Sequence, residues 1–120
     1  ISQNTALDNT ICIVLSCTYM PISRTPKPLE FDWDTHNQSK NWIKHKVDYK
    51  ECEQAFKNTP HSIFEDKLHS LSEKRYTLLS FTDNYRYLFI IFTIRFRKVR
   101  VISARDQDKK ERRIYEKSTK

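Results

Sequence analysis

A chain of 120 residues with 22 basic and 15 acidic side chains carries a formal charge of +7, and its 38% hydrophobic content is that of one soluble domain with a single modest core. This balance excludes a disordered or membrane-embedded chain. The pI near 9.4 makes a polyanion such as nucleic acid the natural partner, although a basic surface that only keeps the protein soluble fits the charge equally well.

Glycine is absent, so turns fall to Asn, Asp, Ser and Pro, with strain wherever a positive φ is required. Cys12, Cys17 and Cys52 are odd in number and lack metal-ligand spacing. They read as reduced thiols of a cytoplasmic protein, Cys52 buried in a helix.

Residues 1–28 look unlike the rest. The apolar run Ile11–Leu15 is too short to span a bilayer, and no basic segment precedes it as a secretory signal needs. The only methionine is Met20, so the expectation is that translation starts there and that residues 1–19 are upstream sequence. Pro21, Pro26 and Pro28 predict an extended lead-in, and the domain proper is expected over residues 29–120.

Leu29 to Trp33 alternates apolar and acidic residues and predicts a short strand. Asp34 can cap a helix from about Thr35 to His45, with Trp42 and Ile43 as its apolar contacts. Asp48 stands three residues before Glu51, the spacing of a capping box, and opens a second helix with Tyr49, Cys52 and Phe56 along one face. Asn58-Thr59-Pro60 ends it. Ile63-Phe64 predicts a brief strand, a polar loop runs through Ser72, and Arg75 to Thr82 is the next strand, closed by a turn at Asp83-Asn84. Leu88 to Ile94 reads as a buried central strand, and Val99 to Arg105 as its antiparallel neighbour. Asp108 and Glu111 cap a C-terminal helix carrying Ile114 and Tyr115. The order predicts an α+β fold: an antiparallel sheet of four to five strands, two N-terminal helices and a C-terminal helix.

Charge is polarised along the chain. Eleven basic and eleven acidic residues cancel over residues 1–86, while eleven basic against four acidic residues over 87–120 supply the whole excess. Arg95 and Arg97 are two apart and could share a strand face, with Arg100 and Arg105 near them. Guanidinium groups bind phosphate oxygens in pairs, so several on one sheet surface form an anion site.

Five separated motifs then carry a resemblance. Phe31-Asp32-Trp33-Asp34, Asn41-Trp42-Ile43-Lys44-His45-Lys46-Val47, Glu73-Lys74-Arg75-Tyr76, Arg95 with Arg100-Val101-Ile102-Ser103-Ala104-Arg105, and Glu111-Arg112-Arg113-Ile114-Tyr115-Glu116 resemble, in order and spacing, those of the BrnT toxins of bacterial toxin–antitoxin modules. Lys46 and Phe96 stand where that pattern usually has glycine, Ile94 where it commonly has an acid, and Asn37 where it often has lysine. The resemblance implies a RelE-like fold and an endoribonuclease activity that needs no metal or other cofactor and blocks translation. Its partners would be RNA, a BrnA-like antitoxin in a heterotetramer, and operator DNA reached through the antitoxin.

Metal-independent cleavage uses the 2′-hydroxyl of RNA as nucleophile, so the site needs a base, an acid and fixed positive charge for the phosphorane. Arg95 and Arg75 are the expected phosphate stabilisers, with Arg97, Arg100 and Arg105 in support; the alternative for each is a surface or structural ion pair. His45 is the expected proton carrier, or else a histidine placed to favour a helix C-terminus. Lys44 binds phosphate or decorates the same helix end. Glu73 acts as base or orients Arg75, structural pairing being the favoured role. His36, His61 and His69 lack ligand spacing and are expected to be exposed. A second function class also fits: a catalytically weakened module that binds antitoxin and joins operator binding without cutting RNA.

Overall fold

The structure, a computed structural model, describes residues 29–70 and 72–119; the expectations for residues 1–28, including the start at Met20 and the thiols Cys12 and Cys17, lie outside them. Helices α1 (Thr35–His45) and α2 (Tyr49–Lys57) come first. They are followed by β1 (Ser62–Glu65), a single 3-10 turn (Lys67–His69), β2 (Tyr76–Phe81), β3 (Tyr87–Arg95), β4 (Lys98–Asp106) and α3 (Lys109–Ser118). All four strands pair antiparallel in the order β1-β2-β3-β4, so the fold is α+β as expected. The segment Leu29 to Trp33 is not a full strand: Phe31 makes one parallel bridge to Val99, through Asp32 N–H to Val99 O and Val99 N–H to Glu30 O, both 2.8 Å.

Each α-helix opens on a capping box in which an aspartate and the residue three positions on exchange backbone hydrogen bonds: Asp34 with Asn37, Asp48 with Glu51, Asp108 with Glu111. Each satisfies two otherwise orphaned N–H groups, which is why three short polar helices begin where they do.

Strand alternation gives the sheet two apolar faces. Leu78, Leu88, Ile90, Phe92, Val99, Val101 and Ala104 point toward Cys52, Ala55 and Phe56 of α2 and make the main core. The opposite face carries Phe64, Leu79, Phe81, Tyr87 and Phe89, which meet Ile114 and Tyr115 of α3. The Phe56 and Phe92 rings meet edge to face at 4.9 Å, a favourable quadrupole arrangement on top of burial.

Between Ile91 and Phe92 the register against β4 slips, because Ile91 faces Ser103 while Phe92 faces Val101. Ile102 is the extra residue of a β-bulge. It lets Val101 and Ala104, three apart, both reach the core, and it puts Arg100 and Arg105, five apart, on the same opposite face.

The packing of α1 departs from expectation. Trp42 and Ile43 are 51% and 70% exposed, and its buried residues are Asn37 and Asn41. They complete β4 rather than a hydrophobic layer: Asn37 Nδ2 donates to Val101 O (3.3 Å) and Asn41 Oδ1 accepts from Ala104 N–H (3.0 Å). Two amides one helical turn apart thus close the outer edge of the last strand, which would otherwise present unpaired backbone groups.

Candidate active site

Glu73 binds one arginine directly and lies within reach of the charge of two more. Glu73, in the loop before β2, holds Arg95 at the end of β3 through two parallel bonds, Nε to Oε2 at 2.8 Å and Nη2 to Oε1 at 2.9 Å. The hydrogen bonds from Arg95 pull the Glu73 carboxyl below the ordinary glutamate range, and the charges of Arg95, Arg75 and Arg100 add to the effect. Arg95 in turn is held protonated first by Glu73 and also by the charges of Asp32 and Asp34.

Arg100, one residue past Val99 on β4, donates from Nη2 to Asp34 Oδ2 (2.7 Å), with Asp32 Oδ2 at 3.5 Å from Nη1. Hydrogen bonds from Asn37 N–H first, and then from Arg100, keep the Asp34 carboxyl below its usual range. The N-cap of α1 is therefore also the anchor of a site arginine. Arg75, Arg95 and Arg100 lie at one end of the sheet, just before β2, at the end of β3 and near the start of β4.

The loop leading into Arg75 is tied to itself. Asp66 N–H donates to Arg75 O (2.7 Å), the Ser70 hydroxyl donates to Asp66 O (2.6 Å), and Arg75 N–H donates to Ser70 Oγ (2.9 Å). These bonds shape a cleft of about 180 Å³ lined by Leu68, His69, Ser72, Glu73 and Arg75. His69 Nδ1 lies 2.9 Å from Oδ2 of the buried Asp66. His69 is exposed, as expected, and the pairing with Asp66 is an addition to that reading. The signal legible in the sequence was the i, i+3 spacing of Asp66 and His69, which puts the two side chains together only once the chain makes a tight turn.

Other expected members stand elsewhere. Lys44 and His45 end α1, some ten residues and therefore about 15 Å along the helix from the N-cap that holds Arg100. The His45 and Lys46 carbonyls accept instead from Arg86, which also pairs with Asp106 and Glu51 at the far end of β4. A pocket shared by Lys44, His45 and the arginines is thus not what forms, because α1 runs alongside β4 and carries its C-terminus away.

Arg97 does not share a strand face with Arg95. It is the second residue of the two-residue turn Phe96-Arg97, both at positive φ (50° and 66°), which is the geometry that matches the twist of a β-hairpin. Arg105 is drawn under α3, stacked 4.2 Å over Phe89 and bound through two bonds (2.9 and 2.7 Å) to the buried Glu111. It belongs to the packing of α3, about five strand residues from Arg100.

Among the described residues no group of His, Cys, Asp or Glu is arranged to hold a metal ion, and no helix is long and apolar enough to cross a membrane. Comparison with curated proteins finds no match. Residues 33–111 match the family described as the ribonuclease toxin, BrnT, of the type II toxin-antitoxin system. That span runs from Trp33, through α1, Glu73 and the three site arginines, to Glu111. The chain belongs to the BrnT family of ribonuclease toxins.

Proposed function

We propose that this toxin is an endoribonuclease that cuts RNA without a metal ion and thereby stops translation in the cytoplasm. The 2′-hydroxyl oxygen attacks the adjacent phosphorus while Arg95 and Arg75 neutralise the charge that builds on the non-bridging oxygens, and Arg100 supports them. The observation that carries this reading is the two-point grip of Arg95 on Glu73, with Arg75 and Arg100 close enough for their charges to act on the same carboxylate. A phosphate entering there takes the place of a carboxylate already bound in the two-point manner that arginine offers to phosphate. A BrnA-like antitoxin would silence the toxin by covering this end of the sheet, in a heterotetramer that reaches operator DNA through the antitoxin.

One observation favours the rival class, a module that binds antitoxin without cutting: Arg95 and Arg100 are each neutralised by carboxylates of the same chain. Incubating the purified protein with RNA in EDTA separates the two. Cleavage that persists in chelator and disappears with Arg95→Ala supports the enzyme, and intact RNA at high protein excess supports the binding module.

A further inference from the structure

We infer that His69, oriented by Asp66, is the general base of this site; the assignment rests on the ribonuclease reading above. The base must lie beside the phosphate-binding arginines, and His45 stands at the wrong end of α1 to serve. Glu73 lines the cleft, but the hydrogen bonds and charge of Arg95, with the charges of Arg75 and Arg100, hold its carboxyl below the ordinary glutamate range, which leaves it a weaker proton acceptor than an imidazole. His69 lines the same cleft as Glu73 and Arg75.

The Asp66 carboxylate can only accept a hydrogen bond, so the proton of neutral His69 sits on Nδ1 and the lone pair on Nε2, the ring edge turned from Asp66. The His69 side chain is 58% exposed while that of Asp66 is 6% exposed, so the accessible ring is backed by a buried carboxylate. Asp66 Oδ1 also accepts from His69 N–H (3.3 Å), and Asp66 N–H is fixed on Arg75 O. The orienting group and the phosphate-binding arginine are therefore locked by one backbone bond. A base oriented by a third group, on an exposed ring that lines the same cleft as Glu73 and Arg75, is an arrangement suited to proton abstraction from a hydroxyl.

In the step, His69 Nε2 takes the 2′-hydroxyl proton, the freed oxygen pair forms the bond to phosphorus, and the bond from phosphorus to the 5′ oxygen breaks with its electrons going to that oxygen. Solvent water protonates the departing oxygen, and the imidazolium returns its proton to the hydroxide so formed. The products are a 2′,3′-cyclic phosphate and a 5′-hydroxyl. Asp66 stabilises the transient imidazolium and is a positioning residue. The charged groups around the ring are Asp66 and Lys67 of its own turn, and Glu73 and Arg75 across the cleft.

The test is cleavage of a short RNA in EDTA across a pH series, with binding of the 2′-deoxy form of the same oligonucleotide measured in parallel. His69→Gln and His69→Ala should each lower the cleavage rate by about 10²- to 10⁴-fold. They should leave the thermal midpoint and the affinity for the 2′-deoxy oligonucleotide within a few-fold of wild type. Asp66→Asn should keep the fold and lower the plateau of the rate profile, because the ring loses the carboxylate that orients it. Wild-type rates and an unchanged profile in both His69 variants, in a protein whose cutting still depends on Arg95, overturn the assignment and leave the ribonuclease reading standing. A wild-type protein that does not cut RNA overturns both.

Discussion

Glu73 and Arg95 face each other with two parallel hydrogen bonds of 2.8 and 2.9 Å, although 22 residues separate them in the chain. The pair joins the loop before β2 to the end of β3, and it pre-aims the guanidinium before any ligand arrives. Its geometry is the same two-point grip that a phosphate would receive.

This relationship distinguishes two arginines that look alike in the sequence. Arg95→Ala should lower RNA cleavage by about 10²-fold or more, since removing one pre-aimed donor from a developing anion costs about that much, and it should leave the unfolding transition nearly unmoved. Arg105→Ala should do the reverse. It strips the buried Glu111 carboxylate of its two-bond partner and should cost about 3 kcal/mol of stability, with cutting per folded molecule unchanged. Urea denaturation and a cleavage assay on the same two preparations check both.

Acid should loosen the site end of the sheet. Glu73 has a folded-state pKa below its ordinary 4.5 because of Arg95, so its contribution is fully present above that value and is lost as the pH falls through the lowered one. Asp34, lowered by Asn37 and Arg100 from its ordinary 3.8, acts in the same direction. Glu73→Gln should therefore flatten the fall of stability below about pH 4.5. Thermal unfolding between pH 3 and 7 measures it, and a variant with the wild-type slope would show that the pair contributes nothing to acid sensitivity.

Asn41→Ala should destabilise by about 1–3 kcal/mol, because the Ala104 N–H at the bulge would be left buried without a partner. The variant should also aggregate more readily in partial denaturant, since the outer edge of β4 would lose part of its cover. Light scattering beside chemical denaturation tests the two effects.

Two strained positions offer stabilisation. Lys46 closes α1 at φ 57° and Phe96 opens the β3–β4 turn at φ 50°, both in the left-handed region that costs a side chain about 1–2 kcal/mol. Part of the relief is offset by the greater freedom of glycine in the unfolded chain. Lys46→Gly and Phe96→Gly should each add about 0.5 kcal/mol, read as a higher denaturation midpoint.

Cys52 should resist alkylation in the native protein. Burial against the core, and then the charges of Glu51, Asp48 and Glu53, push its thiol up to about 12, so the reactive thiolate is scarce at neutral pH. Peptide mapping after iodoacetamide should find Cys52 modified only when denaturant is present.

The elements were legible because their signals are local. Aspartate three residues before Asn37, Glu51 or Glu111 set three helix starts, and the nearly unbroken apolar run Leu88 to Ile94 set the central strand, since capping and a short β-branched apolar run act within a few residues. The basic C-terminal third was equally plain, and with it the reading of an anionic ligand.

What decided the site was long-range geometry. Only the direction of α1 along β4 takes His45 away from Arg100, only the bulge at Ile102 sets the faces of Arg100 and Arg105, and only the tight turn at Lys67–His69 brings His69 onto Asp66. Each depends on contacts between segments distant in the chain or on a turn whose shape those contacts fix. A residue's chemical type can be read from one position, but its partners are chosen by the packing of all the others.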